Sequence, residues 1–145
     1  MNYNKLTKQE LLYILQEKTK ISAPSDVINY IKTNIKLNPE VEQFGVLFLS
    51  NNNSIIKHKV LFIGGVNKTI IDPIVLFRTA LKTNRCCNII IFHNHPSGET
   101  SPSDDDIRVT KKIKSAGEII GLKLIDHIII TELSSMSFET SGYMD

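Results

Sequence analysis

The chain has 145 residues, 41% hydrophobic and 22% charged, which is one domain's worth of material, able to bury a core and too apolar for a disordered segment. Lys+Arg 17 against Asp+Glu 15 leaves a net charge of +2, which gives no support to a strong phosphate-binding face or a polybasic membrane anchor. The 2 cysteines, Cys86 and Cys87, are neighbours, which excludes a disulfide framework, and no apolar run approaches the ~18 residues of a membrane span. The opening MNYNKLTKQE lacks the order of a signal peptide, so a reducing, cytoplasmic setting and no membrane partner are expected.

In chain order, helical period first shows from Glu10 to Glu17, with Leu11, Leu12, Ile14 and Leu15 as its apolar stripe and Thr7 with Glu10 as a capping box. A second helix is predicted after Pro24, with Ser25 as N-cap and Val27, Ile28, Ile31 and Ile35 at helical spacing. These pieces make residues 1–40 an N-terminal helical segment, and residues 41–145 read as the main domain. There VEQFGVLFLS and IIKHKVLFIGG, joined by NNNS, predict an antiparallel hairpin. Asp72 as N-cap and Pro73 at the first helical position start a helix to about Thr83, with Ile74, Leu76, Phe77 and Leu81 as its expected buried side. The nearly unbroken apolar run CNIIIFHNH reads as a central strand covered on both faces. After the loop PSGETSPS, Ser103 opens a helix that should stop near Gly121, and LKLIDHIIIT is a last strand. The tail after Thr131 carries no clear signal. Helices interleaved with strands give a layered α/β domain with a mixed sheet.

The sharpest chemical feature is HNHPSGETSPSDDD, residues 93–106. Residues two apart on a strand share a face and lie ~6.6 Å apart, so the imidazoles of His93 and His95 can converge on one ion as half of a zinc site. The loop to Pro102 is long enough to reverse the chain and present the next helix's first turn, where Asp104, Asp105 and Asp106 follow Ser103. Asp106 is the candidate third ligand, and Asp104 and Asp105 read as favourable charges at the helix N-terminus. Three protein ligands leave one tetrahedral position free, the arrangement of a catalytic zinc, and a nearby carboxylate is then needed as base. Glu40 and Glu42 share a strand face with Phe44, Val46 and Phe48; Glu42 is favoured, because an acid on a face that should be buried is costly unless it is paired or used.

These residues resemble the JAMM, or MPN-type, metalloproteases, and among them the bacterial RadC-like proteins. The family pattern is an upstream Glu, then HxH, seven residues, Ser, two residues, Asp, and the spacing from His93 to Asp106 fits it in full. GGVN ahead of the Asp-Pro helix start, HNHPSG, and the GLKLIDHIII strand from Gly121 to Ile130 are similar as well. The resemblance implies a cytidine-deaminase-like layered fold and one Zn²⁺ per chain held by His93, His95 and Asp106. It also implies Glu42 as general base, with Ser103 as hydrogen-bond donor to the oxyanion. The activity implied is hydrolysis of peptide or isopeptide bonds in a protein or peptide substrate. Two departures stand out: the leading residues hold no GxG hairpin of the kind that precedes this domain in longer relatives, and Ile74 stands where relatives often have Arg.

Several plainer readings compete. Ser97 and Gly98 suit a turn as well as substrate contact. Asp126 and His127, set in an apolar strand, are expected to be a buried hydrogen-bonded pair that ties the strand to the HNHPSG loop and supports the metal ligands from outside. His58, beside lysines, is expected to face solvent, and Cys86 and Cys87 to be small buried hydrophobes. A zinc deaminase needs HxE and PCxxC, which are absent, and the contiguous letters HNH are not the spread ββα motif of the nucleases of that name. The remaining alternative is a RadC-type binding or scaffold protein associated with DNA repair; low net charge, 7% aromatics and no Trp give nucleic acid little support.

Overall fold

The computed structural model describes residues 5–16, 19–64 and 71–145, with residues 13–16 described by their backbone alone. The elements run α1 (Lys8–Gln16), α2 (Pro24–Asn34), β1 (Gln43–Leu49), β2 (Ile55–Ile63), α3 (Pro73–Lys82), β3 (Asn88–Asn94), α4 (Asp104–Ile120), β4 (Lys123–Ile130) and β5 (Ser135–Ser137). The sheet order is β2-β1-β3-β4-β5. β3 and β4 pair in parallel across the α4 crossover, and the other neighbours are antiparallel, so the sheet is mixed.

Strand alternation sorts the core into two halves. Phe44, Val46, Phe48, Ile89, Ile91 and Ile129 point to one side, where they pack with Leu76, Phe77 and Ala80 of α3 and Ile113 of α4. Leu47, Leu49, Ile90, Phe92, Ile128 and Ile130 point to the other side and are covered by Val27 and Ile31 of α2 with Ile21. The α/β class and the mixed sheet between helices expected from the sequence are what the chain adopts, and β3 lies at its centre with both faces buried.

Capping chemistry explains most element starts. Thr7 and Glu10 form the expected capping box, each bonding the other's backbone N–H. Asp72 accepts from the N–H of Ile74, and Gly121 closes α4 with φ 81°, a left-handed conformation that costs glycine little. Four readings need correction. The N-cap of α2 is Ala23 and not Ser25, because the Asp26 carboxylate reaches back to the N–H groups of Ser22 and Ala23 and caps the helix without a side chain at the cap position. On α3 the buried side is Leu76, Phe77 and Ala80, whereas Ile74 and Leu81 are 64% and 67% exposed: the stripe is turned by part of a helical step from the one the sequence suggested. Leu12 of α1 is 48% exposed, while the side chains of Ile14 and Leu15, the predicted end at Glu17 and most of GGVN fall outside what is described. The tail is not featureless, since β5 pairs with β4 from Ile128↔Ser137 to Ile130↔Ser135 and Phe138 behind it is fully buried. Among the described residues no helix is long and apolar enough to cross a membrane.

Gly45, between Phe44 and Val46, is required by close packing. A Cβ built there would lie 2.2 Å from Cζ of Phe92, a ring that is itself fully buried. Gly45→Ala is therefore expected to destabilise the fold by about 1–3 kcal/mol, read as a lower denaturant midpoint at unchanged slope.

Candidate metal centre

The site forms where β3 ends and α4 begins. His93 is the penultimate residue of β3, on the face that looks toward α4, and is 1% exposed; its backbone pairs with Phe44 of β1 and Ile129 of β4. His95 lies just beyond the strand, held by its own N–H to the carbonyl of Ile130. The chain then turns through Gly98 at φ 83° and enters α4 with Ser103 as N-cap. Ser103 Oγ accepts from the N–H of Asp106 at 3.0 Å, and the Ser103 N–H donates to Asp106 Oδ2 at 2.9 Å. This capping box fixes the carboxylate of Asp106 under the histidines, 3.4 Å from Nε2 of His93 and 3.2 Å from Nε2 of His95.

Glu42 reaches the same point from the neighbouring strand, since β1 runs antiparallel to β3 and Phe44 lies opposite His93. It precedes β1, with its carbonyl accepting from the N–H of Gly64, and its Oε1 lies 3.9 Å from Nε2 of His93. The side chain of Asn94 pins this segment. Its Oδ1 accepts from the N–H of Gln43 at 2.7 Å, and its Nδ2 donates to the carbonyls of Val41 and Asn38 at 2.9 and 3.0 Å. Donor atoms of Glu42, His93, His95 and Asp106 all lie within 4.8 Å of one another. Glu42 is the most open of the four at 37% side-chain exposure, against 13% for Asp106 and 15% for His95. They line an open cleft of about 980 Å³ that also receives Phe44, Ser97 and Ser103.

The donor set fits a zinc ion by its own chemistry. Nδ1 of His95 is 2.7 Å from the carbonyl oxygen of Glu99, which can only accept, so that nitrogen carries the proton and Nε2 presents a lone pair to the cleft. Two imidazole nitrogens and a carboxylate converging from a strand and a helix N-terminus are the ligand types that zinc prefers. The Asp106 carboxylate favours the charged, doubly protonated form of His95, in which Nε2–H can donate to it, and so raises the pKa of His95 against the opposing pull of burial. Burial alone would raise Asp106, but the neighbouring His93 and His95, in their charged forms, and the Ser103 backbone N–H outweigh it and hold the carboxyl well below the usual carboxylate range.

Of the residues singled out by sequence, Glu42, His93, His95, Ser103 and Asp106 come together here. Glu40 does not: it lines a separate hollow with Leu37 and Leu133. Gly98 borders that second hollow as well, whereas Ser97 borders the metal cleft and accepts from the N–H of Glu99. Asp126 and His127 are both buried and bonded, the His127 backbone N–H donating to Asp126 Oδ1 at 2.7 Å, but their side chains serve different places. His127 is fully buried, with Nε2 2.7 Å from Nδ1 of His93 and Nδ1 2.6 Å from Oγ1 of Thr110. Asp126 turns away from the HNHPSG loop; it accepts from Ser137 Oγ at 2.6 Å and from the N–H of Glu139 at 3.0 Å, anchoring β5 instead. The expected tie from Asp126 to the loop is therefore absent, because adjacent residues on a strand face opposite sides of the sheet. Burial raises the Asp126 carboxyl.

His58 is not simply solvent facing: its Nδ1 meets the Tyr30 hydroxyl at 2.7 Å, half-buried where α2 crosses β2, and burial lowers its pKa. Cys86 and Cys87 are free and half-buried, and burial first of all pushes the Cys86 thiol up to about 11, which makes it a poor nucleophile. Sequence reasoning missed Thr110, Asn94 and the Glu99 carbonyl. Asn94 alone left a trace, as a polar side chain at the end of an otherwise apolar strand.

Residues 21–143 match the family described as RadC-like JAB domain. The chain is 40% identical over 138 residues to a UPF0758 protein of Staphylococcus carnosus, covering 94% of this chain and 60% of the relative. It is 43% identical over 123 residues to a UPF0758 protein of Flavobacterium johnsoniae, covering 85% and 53%. With UPF0758 protein lmo1549 of Listeria monocytogenes it shares 38% over 128 residues, covering 88% and 56%. The chain thus spans little more than half the length of these relatives.

Proposed function

The chain belongs to the RadC-like JAB domain family, and from that membership and the donor cluster we propose that it is a zinc-dependent hydrolase of amide bonds, peptide or isopeptide, acting by attack of water. The observation that carries this reading is the convergence of Glu42, His93, His95 and Asp106 within 4.8 Å at the floor of an open cleft. His93, His95 and Asp106 would hold the ion. When bound, zinc supplies Lewis acidity, lowering the pKa of water and polarising the substrate carbonyl.

The chain's own residues do the rest. Glu42, the most exposed acid of the four and the one set furthest from the histidines, takes the proton of the attacking water and returns it to the leaving amine. Ser103 uses its oxygen to cap α4, which leaves its hydroxyl hydrogen free to donate to the oxyanion in the cleft. Phe44, buried and stacked on His93 with ring centroids 6.0 Å apart, keeps water from the back of the ligand ring.

The substrate is a peptide or protein. The reading is tested by measuring zinc in protein purified without added metal, then following cleavage of peptide and isopeptide substrates before and after chelation. Zinc near one per chain with chelator-sensitive, zinc-restored cleavage is expected. A chain that binds no zinc on titration sinks the site assignment; one that binds zinc and cleaves nothing leaves a scaffold associated with DNA repair as the better account.

Ser103→Ala is expected to lower kcat by about 10²-fold or more, since an oxyanion donor is lost, and to cost about 1 kcal/mol of stability through the missing cap. Ser103→Thr keeps both the hydroxyl and the cap and should recover most of each. Steady-state kinetics paired with thermal unfolding separates the two effects.

A further inference from the structure

The least exposed of the proposed ligands, His93, is served by a chain of buried polar groups that the hydrolytic reaction does not itself use. Thr110 Oγ1 lies 2.6 Å from the carbonyl oxygen of Asp106, and a carbonyl only accepts, so the single hydroxyl proton of Thr110 is spent there. The same oxygen lies 2.6 Å from Nδ1 of His127, so that nitrogen must be the donor. His127 is fully buried, flanked by Phe138 at a stacked 4.3 Å and by Phe44 edge-on, and such a ring stays neutral. A neutral imidazole protonated on Nδ1 is an acceptor at Nε2, and Nε2 lies 2.7 Å from Nδ1 of His93. The proton between them therefore belongs to His93; in the neutral ring Nε2 is then bare, 2.8 Å from Nε2 of His95 and 3.4 Å from Asp106, so the two lone pairs meet at the place the cation would take.

We propose that Thr110 and His127 are positioning residues: a one-way hydrogen-bond relay, from His93 through His127 and Thr110 to the Asp106 backbone, fixes His93 in the tautomer whose Nε2 lone pair faces the cation. The assignment of His93 as a ligand is the one part that rests on the metal-centre reading; the direction of the relay follows from the donors and acceptors around a buried, neutral His127. The relay ends on the helical turn that carries Asp106, so two ligands on different elements are set by one chain of bonds. His95 has its own local device in the Glu99 carbonyl, and the two histidines reach the same tautomer by independent routes.

The test uses the full chain, metal-free and 15N-labelled, with long-range proton–nitrogen correlation of the imidazoles at mildly alkaline pH. His93 and His127 should both show a protonated Nδ1 and a bare Nε2. Zinc titration then compares variants: Thr110→Val removes the terminal acceptor at equal size, frees His127 to turn its proton toward His93, and should weaken zinc binding about 10–100-fold. Thr110→Ser should restore both the wild-type nitrogen pattern and the affinity. A wild-type spectrum with Nδ1 of His93 bare overturns the relay, as does a folded Thr110→Val protein with unchanged nitrogen shifts and affinity. Should Thr110→Val fail to fold, His127→Gln, whose amide can accept from His93 and donate to Thr110, takes its place: near wild-type affinity supports the relay, and a loss as large as that of His127→Leu rejects it. If the wild type shows the assigned tautomers and binds no zinc, the relay stands and the metal-centre reading fails.

Discussion

Glu42→Gln is expected to keep its zinc and lose its turnover, with kcat lower by about 10²–10⁴-fold, the range that a positioned general base contributes. Glutamine preserves the size of the side chain and its place before β1, which the Asn94 clamp and the Gly64 N–H hold through the backbone. It removes only the ability to take a proton. The same experiment separates two roles for Glu42, because its Oε1 is 3.9 Å from His93 and the group is close enough to the others to be counted with them. Were it a fourth ligand filling the cation's open corner, Glu42→Gln would release metal as well as activity. Metal content by elemental analysis beside kcat decides between base and ligand.

His95→Ala should lose both metal and activity, with zinc affinity reduced by more than the about 10–100-fold that loss of an outer hydrogen-bond partner costs. His95 is the better ligand to remove, since His93 is buried between β1 and β4 and its truncation would leave a cavity in the core as well as an empty donor position. His95 sits on the loop, so the fold should survive its loss, with a thermal midpoint close to wild type. The wild-type affinity should also fall on acidification from above the ordinary histidine range: Asp106 raises His95 in the metal-free protein, and the proton begins to compete with the ion at a higher pH than it would at an unpaired imidazole.

How far the sequence could be read depended on how local each signal was. His93, His95, Ser103 and Asp106 were legible because strand alternation and an N-cap place them within 14 consecutive residues, with no knowledge of long-range packing. Glu42 was legible because an acid ahead of an apolar strand is conspicuous, and Glu40 could be set beside it but not excluded, since β1 begins only at Gln43 and the alternation does not extend back to residue 40. The hairpin and the central β3 followed from period and length. Thr110 carries no mark in the sequence: its role exists only once α4 packs on β4 and brings it to His127. The exposed Ile74 and Leu81 show the limit of periodicity, because α3 has apolar residues on more than one flank and only the sheet's contour selects Leu76, Phe77 and Ala80. β5 is three residues of mixed polarity, and what holds it is the buried Asp126 carboxylate bonding to Ser137 and Glu139.

The proposed cation grip is assembled by one strand, one loop and one helix start, whereas the acid beside it comes from a stretch clamped by Asn94 across a separation of 51 residues. Ion retention and hydrolysis are thus built on cooperative units of different extent. Fraying of the segment ahead of β1 would carry off Glu42 while leaving the strand–loop–helix clasp closed. Under graded denaturant, cleavage should disappear at a lower concentration than ion release, and the gap between the two midpoints would measure how independently that clasp holds.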